Sequence, residues 1–167
     1  PRAGGRVAHA PVVGIAEAGM QMACLVSASF SVVTTLARTV PAAQRVLDDY
    51  GMRARCRRVR ATGIAVLELE GQTGDLLRQR IGDECRLALA EDGVGAVVLG
   101  CAGMTDLCSE LSLELGIPVI DGVTAAVKLA DALTPLRPRP SPRGHHPDPA
   151  RTPYLGLVPH FTPPSPL

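Results

Sequence analysis

Apolar residues along the first 133 positions recur in two registers. Some form short continuous runs bounded by glycine or proline, and others return every third or fourth residue over longer stretches. The clearest run is Ala96 to Leu99, set between Gly95 and Gly100. It is short and rich in β-branched residues, so it predicts a buried parallel strand. Ala28 to Thr35 predicts a central strand that ends in two hydroxyls, Thr34 and Thr35. Pro11 to Ile15 predicts a strand that enters a turn at Gly14. Helical spacing appears in Met20, Met22, Ala23 and Leu25, where methionine is core filler. It appears again after Thr39, a plausible N-cap, with Pro41 in the first turn, Val46, Leu47 and Tyr50 on the apolar side, and Gly51 as the stop. Residues 73–92 open at Thr73 or Asp75, carry Leu77, Ile81, Cys85 and Ala88, and stop at Gly93. A further helix runs from Thr105, through Leu107, Leu111 and Leu115, to Gly116 as its C′ residue. A last one covers Val123 to Leu133.

Strands and helices that alternate in this order give an α/β fold whose sheet is parallel and whose crossovers are right-handed. The periodicity ends near Leu133. From residue 134 to 167 the chain holds 11 of its 15 prolines, four Arg and one Asp. Such a segment cannot bury enough surface to offset its ordering entropy, which predicts an extended, disordered tail. His145 and His146 lie in it and read as solvated side chains. The expected organisation is residues 1–27 as a first-lobe remnant with its closing helix, 28–133 as an α/β lobe, and 134–167 as tail.

Composition narrows the function. No apolar run reaches the roughly 18 residues a membrane span needs, and no signal segment is evident, so a soluble protein with no membrane partner is expected. Net charge is +1, too small for a field that would draw nucleic acid. The basic run Arg53, Arg55, Arg57, Arg58 and Arg60 lacks interleaved aromatics and reads as a solvated strand face. Five cysteines without zinc-type pairing argue against a disulfide framework and a structural zinc site. Cys24, Cys56, Cys85 and Cys108 are expected to be packing residues in a reducing cytoplasm.

Cys101 differs from them. It stands just past a strand end, between Gly100 and Ala102-Gly103, a few residues before a helix. Ligands of open α/β sheets bind beyond the strand carboxyl ends, and a nearby helix N-terminus favours a thiolate over a thiol. A buried, inert thiol is the competing reading of the same spacing.

An internal repeat adds a constraint. Residues 11–23, Pro-Val-Val-Gly-Ile-Ala-Glu-Ala-Gly-Met-Gln-Met-Ala, correspond to residues 118–130 with one residue inserted at Asp121. Two related lobes follow. Cys101 precedes Pro118 by 17 residues, and the same offset from Pro11 falls before residue 1. The expectation is therefore a two-lobed protein from which most of the first lobe is missing.

At Phe30-Ser-Val-Val-Thr-Thr, at Gly63-Ile-Ala-Val-Leu-Glu-Leu-Glu, at Val98-Leu-Gly-Cys-Ala-Gly-Met and at Pro118-Val-Ile-Asp-Gly-Val-Thr-Ala-Ala-Val, the sequence resembles the hydantoin racemases of the aspartate/glutamate racemase superfamily. The likeness covers about residues 11–133. It implies two α/β lobes, a cofactor-free site between them, and one cysteine from each lobe flanking the α-carbon of a small-molecule substrate, a 5-substituted hydantoin or related amino-acid derivative. One thiolate would remove the α-proton and the opposite thiol would return one. Carried over, Cys101 matches the second-lobe cysteine. Thr34 and Thr35 match the threonine pair that would hold substrate oxygens, and Ala102, Gly103 and Met104 match the loop whose amides could do the same. Glu17 falls in a matched segment and reads as helix N-terminal charge. The family's opening Asn-Pro-Asn segment and first cysteine loop have no counterpart here. Two other readings compete: a single-cysteine decarboxylase of the arylmalonate type, and a non-catalytic remnant that pairs through an apolar patch with another chain or a second copy of itself.

Overall fold

The computed structural model describes residues 10–65 and 74–139. Val13 to Pro135 form one compact unit, and the described residues 10–12 and 136–139 fall outside it.

Four strands build a single sheet: β1 (Phe30–Thr34), β2 (Cys56–Ala61), β3 (Ala96–Leu99) and β4 (Val119–Asp121). Their spatial order is β2-β1-β3-β4 and every pairing is parallel. The helices are α1 (Ile15–Val26), α2 (Val40–Asp49), α3 (Gly74–Leu87), α4 (Cys108–Leu115) and α5 (Gly122–Leu136). A parallel sheet needs helical crossovers, and the strand runs that the sequence carries are apolar on both faces because helices cover both. The alternation of side chains is visible in β1 and β3. Phe30, Val32, Ala96 and Val98 pack against Met20, Ala23 and Leu47 on one face. Val33, Val97 and Leu99 pack against Ile81, Cys85, Met104, Cys108 and Leu111 on the other. A small cluster of Ala18, Ala125 and Ala126 joins α1 to α5. The α/β class and parallel order are as the sequence predicts.

Several elements differ from expectation. Residues 11–14 enter no strand ladder, and α1 begins at Ile15 with Gly14 as its N-cap. Pro11 lacks the N–H that a ladder needs, and glycine serves as a helix start. Thr39 does not cap α2: its backbone is helical, and its hydroxyl turns back to the Leu36 carbonyl, closing a 3₁₀ turn over Ala37–Thr39. Pro41 does occupy the first turn. The segment after Cys101 is a 3₁₀ helix over Ala102–Leu107 before α4 proper, and Gly116, left-handed at φ 67°, ends α4 as expected. Helix α5 continues to Leu136, past the expected limit at Leu133 and through Pro135. Thr73, residues 66–70 and the histidine pair lie outside the described residues.

The basic strand is corrected at one position. Arg57 and Arg58 are exposed, but Arg60 is buried. After Leu87 the helix widens into a π turn over Ala88–Asp92, which ends at left-handed Gly93. The wider turn carries Glu91 and Asp92 to β2, where Arg60 donates to both Asp92 oxygens at 2.8 and 2.7 Å and to Glu91 at 2.6 Å. Ser31 of β1 donates to the same Asp92 at 2.7 Å. A buried guanidinium is tolerated because these carboxylates neutralise it.

Candidate active site

A cavity of about 360 Å³ opens beyond the carboxyl ends of β1 and β3. Its wall includes Thr34 and Thr35 from the end of β1, Gly100, Cys101 and Ala102 from the end of β3, Thr39 and Ala43 near α2, and Ile15 and Gly122 from the starts of α1 and α5. Crevices at this end of a parallel sheet are where open α/β folds bind ligands. The starts of α1, of α5 and of the turn at Ala102 all meet this wall. The first N–H groups of a helix have no carbonyl partner within it.

Cys101 is half-buried, with extended backbone (φ −137°, ψ 133°), and stands at the N-cap of the 3₁₀ turn. Of the five cysteines, all free thiols, it is the one in the cavity wall. Cys85 and Cys108 are buried in the core on the α3/α4 side. Burial pushes each of these thiols up to about 12, so both stay protonated at neutral pH. Cys56 lies against the opposite core, its thiol pushed up by burial to about 11, and Cys24 packs there too.

The two threonines are buried at the cavity floor but differ in their bonding. The Thr34 hydroxyl is 3.0 Å from that of Thr39, which in turn donates to the Leu36 carbonyl at 2.6 Å. Among the described residues the Thr35 hydroxyl has no hydrogen-bond partner, while its carbonyl accepts from the Gly63 amide at 2.8 Å and the Thr62 hydroxyl at 3.2 Å. Thr35 is thus anchored by its backbone and leaves its side chain for a ligand. In the turn after Cys101, Ala102 and Gly103 are exposed, and Ala102 reaches the cavity. Met104 does not: its side chain is fully buried in the α3/α4 core, and its amide already donates to the Cys101 carbonyl at 3.1 Å. Glu17 also stays away from the wall, in the first turn of α1 beside Gln21.

Three features that sequence reasoning missed hold this geometry. Asp121 ends β4, and its carboxylate accepts the Thr124 amide at 2.7 Å and lies 3.4 Å from the Thr105 hydroxyl, which sets the start of α5 beside the turn after Cys101. An Asp three residues before Thr124, next to a glycine, was a legible cap signal. Gly122 lies directly against the Ile15 carbonyl, where a Cβ would collide with backbone. A Cβ on Gly100 would come within 3.2 Å of Thr34 Cβ and 3.4 Å of its hydroxyl oxygen, so the glycine keeps that hydroxyl uncovered. Among the described residues, no group of three or more His, Cys, Asp and Glu is placed to hold a metal ion. No described helix is long and apolar enough to cross a membrane.

The cavity at the carboxyl end of a parallel α/β sheet, with one thiol and two threonines in its wall, has the location at which open α/β folds bind small molecules. Residues 5–130 match the family description Asp/Glu/hydantoin racemase, and the chain belongs to that family. It is 50% identical over 127 residues to a hydantoin racemase of Rhizobium meliloti, covering 76% of this chain and 52% of that protein. It is 39% identical over 158 residues to a hydantoin racemase of Pseudomonas sp. (strain NS671), covering 93% of this chain and 62% of that one. The solved allantoin racemase from Klebsiella pneumoniae superposes with a TM-score of 0.89 at 42% identity, over 97% of this chain and 66% of its own. The chain therefore spans about half to two thirds of the length of these relatives.

Proposed function

We propose that this chain supplies one face of a racemase site acting on a carbon acid between a carbonyl and a nitrogen, as in a 5-substituted hydantoin or an allantoin-like ureide. The Cys101 thiolate takes the proton from that carbon. The C–H electron pair moves into the adjacent carbonyl, and the oxygen that gains charge is met by the Thr35 hydroxyl and the N–H groups of Ala102 and Gly103. A cysteine suits the step because sulfur is a soft base whose proton exchanges near neutrality. The scheme uses no cofactor. The observation that carries it is the placement of Cys101 in the cavity wall beside Thr34, Thr35 and Ala102, while the other four thiols pack elsewhere. The names borne by the relatives support the substrate class.

Inversion needs a second acid on the opposite face of the carbon. One thiol lines the cavity, so that acid is sought outside the described residues. The same observation favours a second reading, decarboxylation of a disubstituted malonate, where a single thiol delivers the one proton required. Hydrogen–deuterium exchange at C5 of a single-enantiomer 5-substituted hydantoin in D₂O, followed with optical rotation, tests the proposal. Exchange with loss of rotation is the expected result. Exchange with retained configuration means that Cys101 both removes and returns the proton. No exchange above a protein-free control, together with carbon dioxide release from an arylmalonate, moves the assignment to the decarboxylase.

A further inference from the structure

We infer that Thr34 meets the substrate as a hydrogen-bond acceptor, that Thr39 is the positioning residue that makes it one, and that the site thereby selects substrates with an N–H donor on the atom next to the reacting carbon. The inference rests on the proton-transfer reading of Cys101 and adds a specificity element to it.

A hydroxyl has one proton to donate and two lone pairs with which to accept. The Leu36 carbonyl has no proton, so the 2.6 Å contact between it and Thr39 consumes the Thr39 proton. The 3.0 Å contact between the two threonine oxygens must then run from Thr34 to Thr39. Thr34 has spent its own proton inward and turns only lone pairs to the cavity that both residues line. The absent side chain at Gly100, next to Cys101, keeps that oxygen open on the side of the thiol. A substrate carbonyl or carboxylate placed there would set lone pair against lone pair. An N–H would complete the chain of donors from ligand to Thr34, Thr39 and Leu36. In a hydantoin ring the N–H bonded directly to C5 has this relation to the reacting carbon. Thr35 provides the contrast, since its hydroxyl has no hydrogen-bond partner among the described residues and keeps its proton to donate to an oxygen. The two neighbouring threonines thus divide the work, one for the nitrogen side and one for the oxygen side. A site that hydrogen-bonds a substrate N–H discriminates strongly against an analogue without it, because its own polar group is then left unpaired.

The test measures, by calorimetric titration of the full chain, the affinity for 5-methylhydantoin and for 1,5-dimethylhydantoin. Deuterium exchange on the first compound is followed in parallel. The wild type is expected to prefer the N–H compound by about tenfold or more. Thr39→Ser keeps the relay and the ratio. Thr39→Val returns the proton of Thr34 to the cavity and narrows the ratio by at least about fivefold. Thr34→Val removes the acceptor and brings the ratio close to one, whereas a mere steric clash with the N-methyl group would persist in that variant. The Thr34→Val ratio decides the matter if Thr39→Val does not fold. Equal affinities in the wild type with exchange intact, or a wild-type ratio in Thr34→Val, overturn the inference and leave the proton-transfer reading standing. Failure to bind either compound, with no exchange, overturns both.

Discussion

The Asp121 carboxylate holds the Thr124 amide at 2.7 Å, and this cap joins the end of β4 to the start of α5 at the mouth of the cavity. The same oxygen lies 3.4 Å from the Thr105 hydroxyl, whose nearer acceptor is the Ala102 carbonyl at 2.9 Å, so the carboxylate that caps the helix also borders the turn that follows Cys101. Loss of an N-cap oxygen costs about 1–2 kcal/mol. Asp121→Ala is therefore expected to lower unfolding stability by that amount in urea melts and to slow C5 deuterium exchange as well. Asp121→Asn, an equally good cap, keeps most of the stability. If Asp121→Ala lowers stability with exchange unchanged, the link to the Cys101 turn is absent.

The cysteines separate into a reacting thiol and packing thiols. Cys101→Ser leaves the fold unchanged and reduces exchange to the protein-free rate, because a serine hydroxyl at this position has no base to ionise it. Cys85→Ser and Cys108→Ser introduce a hydroxyl among Ile81, Leu111 and their neighbours, and are expected to cost about 1–3 kcal/mol while the folded fraction retains its exchange rate. Loss of exchange from a well-folded Cys85→Ser or Cys108→Ser would overturn the assignment.

The buried thiols also set an alkaline limit. Burial raises Cys85 and Cys108 from an ordinary value near 9 to about 12, so the folded state keeps protons that the unfolded chain has released. Their contribution to stability is complete below about pH 9 and is lost as the pH climbs from there toward about 12. Melting temperatures measured between pH 8 and pH 11 should fall, and Cys85→Val should flatten the decline. An equal decline in the variant would assign the alkaline limb to other groups.

The layered core was legible because apolar runs and helical spacing report burial directly: β3 occupies Ala96–Leu99 as the sequence predicts, and Gly93 and Gly116 end their helices in left-handed conformations. Cys101, Thr34 and Thr35 could be placed at strand ends for the same reason. Thr39 and Arg60 misled because their partners are distant or run against the local rule. A threonine before a helix promises a cap, yet Leu36 and Thr34 hold its hydroxyl. An arginine in a basic run promises solvent, yet a π turn brings Asp92, 32 residues further along the chain, to it. Nothing in the local pattern of residues 118–123 shows that Gly122 touches the Ile15 carbonyl, since that contact exists only once α1 and α5 pack together.

The Arg60–Asp92 pair should govern the acid side of the stability curve. Both side chains are buried, at 7% and 5% exposure, and the hydrogen bonds from Arg60, with a further one from Ser31, hold the Asp92 carboxyl below its ordinary value against the opposing effect of burial. A carboxylate depressed in the folded state stabilises above its unfolded value near 3.9 and loses that contribution as the pH falls through the folded one. Arg60→Met keeps much of the side-chain volume but leaves the buried Asp92 carboxylate with only the exposed Arg58, 3.9 Å away, and the Ser31 hydroxyl as partners. The expected loss at pH 7 is about 3 kcal/mol, the scale for breaking a buried pair by removing one partner. At pH 3 that carboxyl is protonated and no longer costs the same desolvation, so the gap between variant and wild type should shrink. Urea denaturation of both proteins at pH 7, 5 and 3 measures the gap directly. A deficit that stays constant across that range would mean that the arginine stabilises through the packing of its stem instead of through its charge.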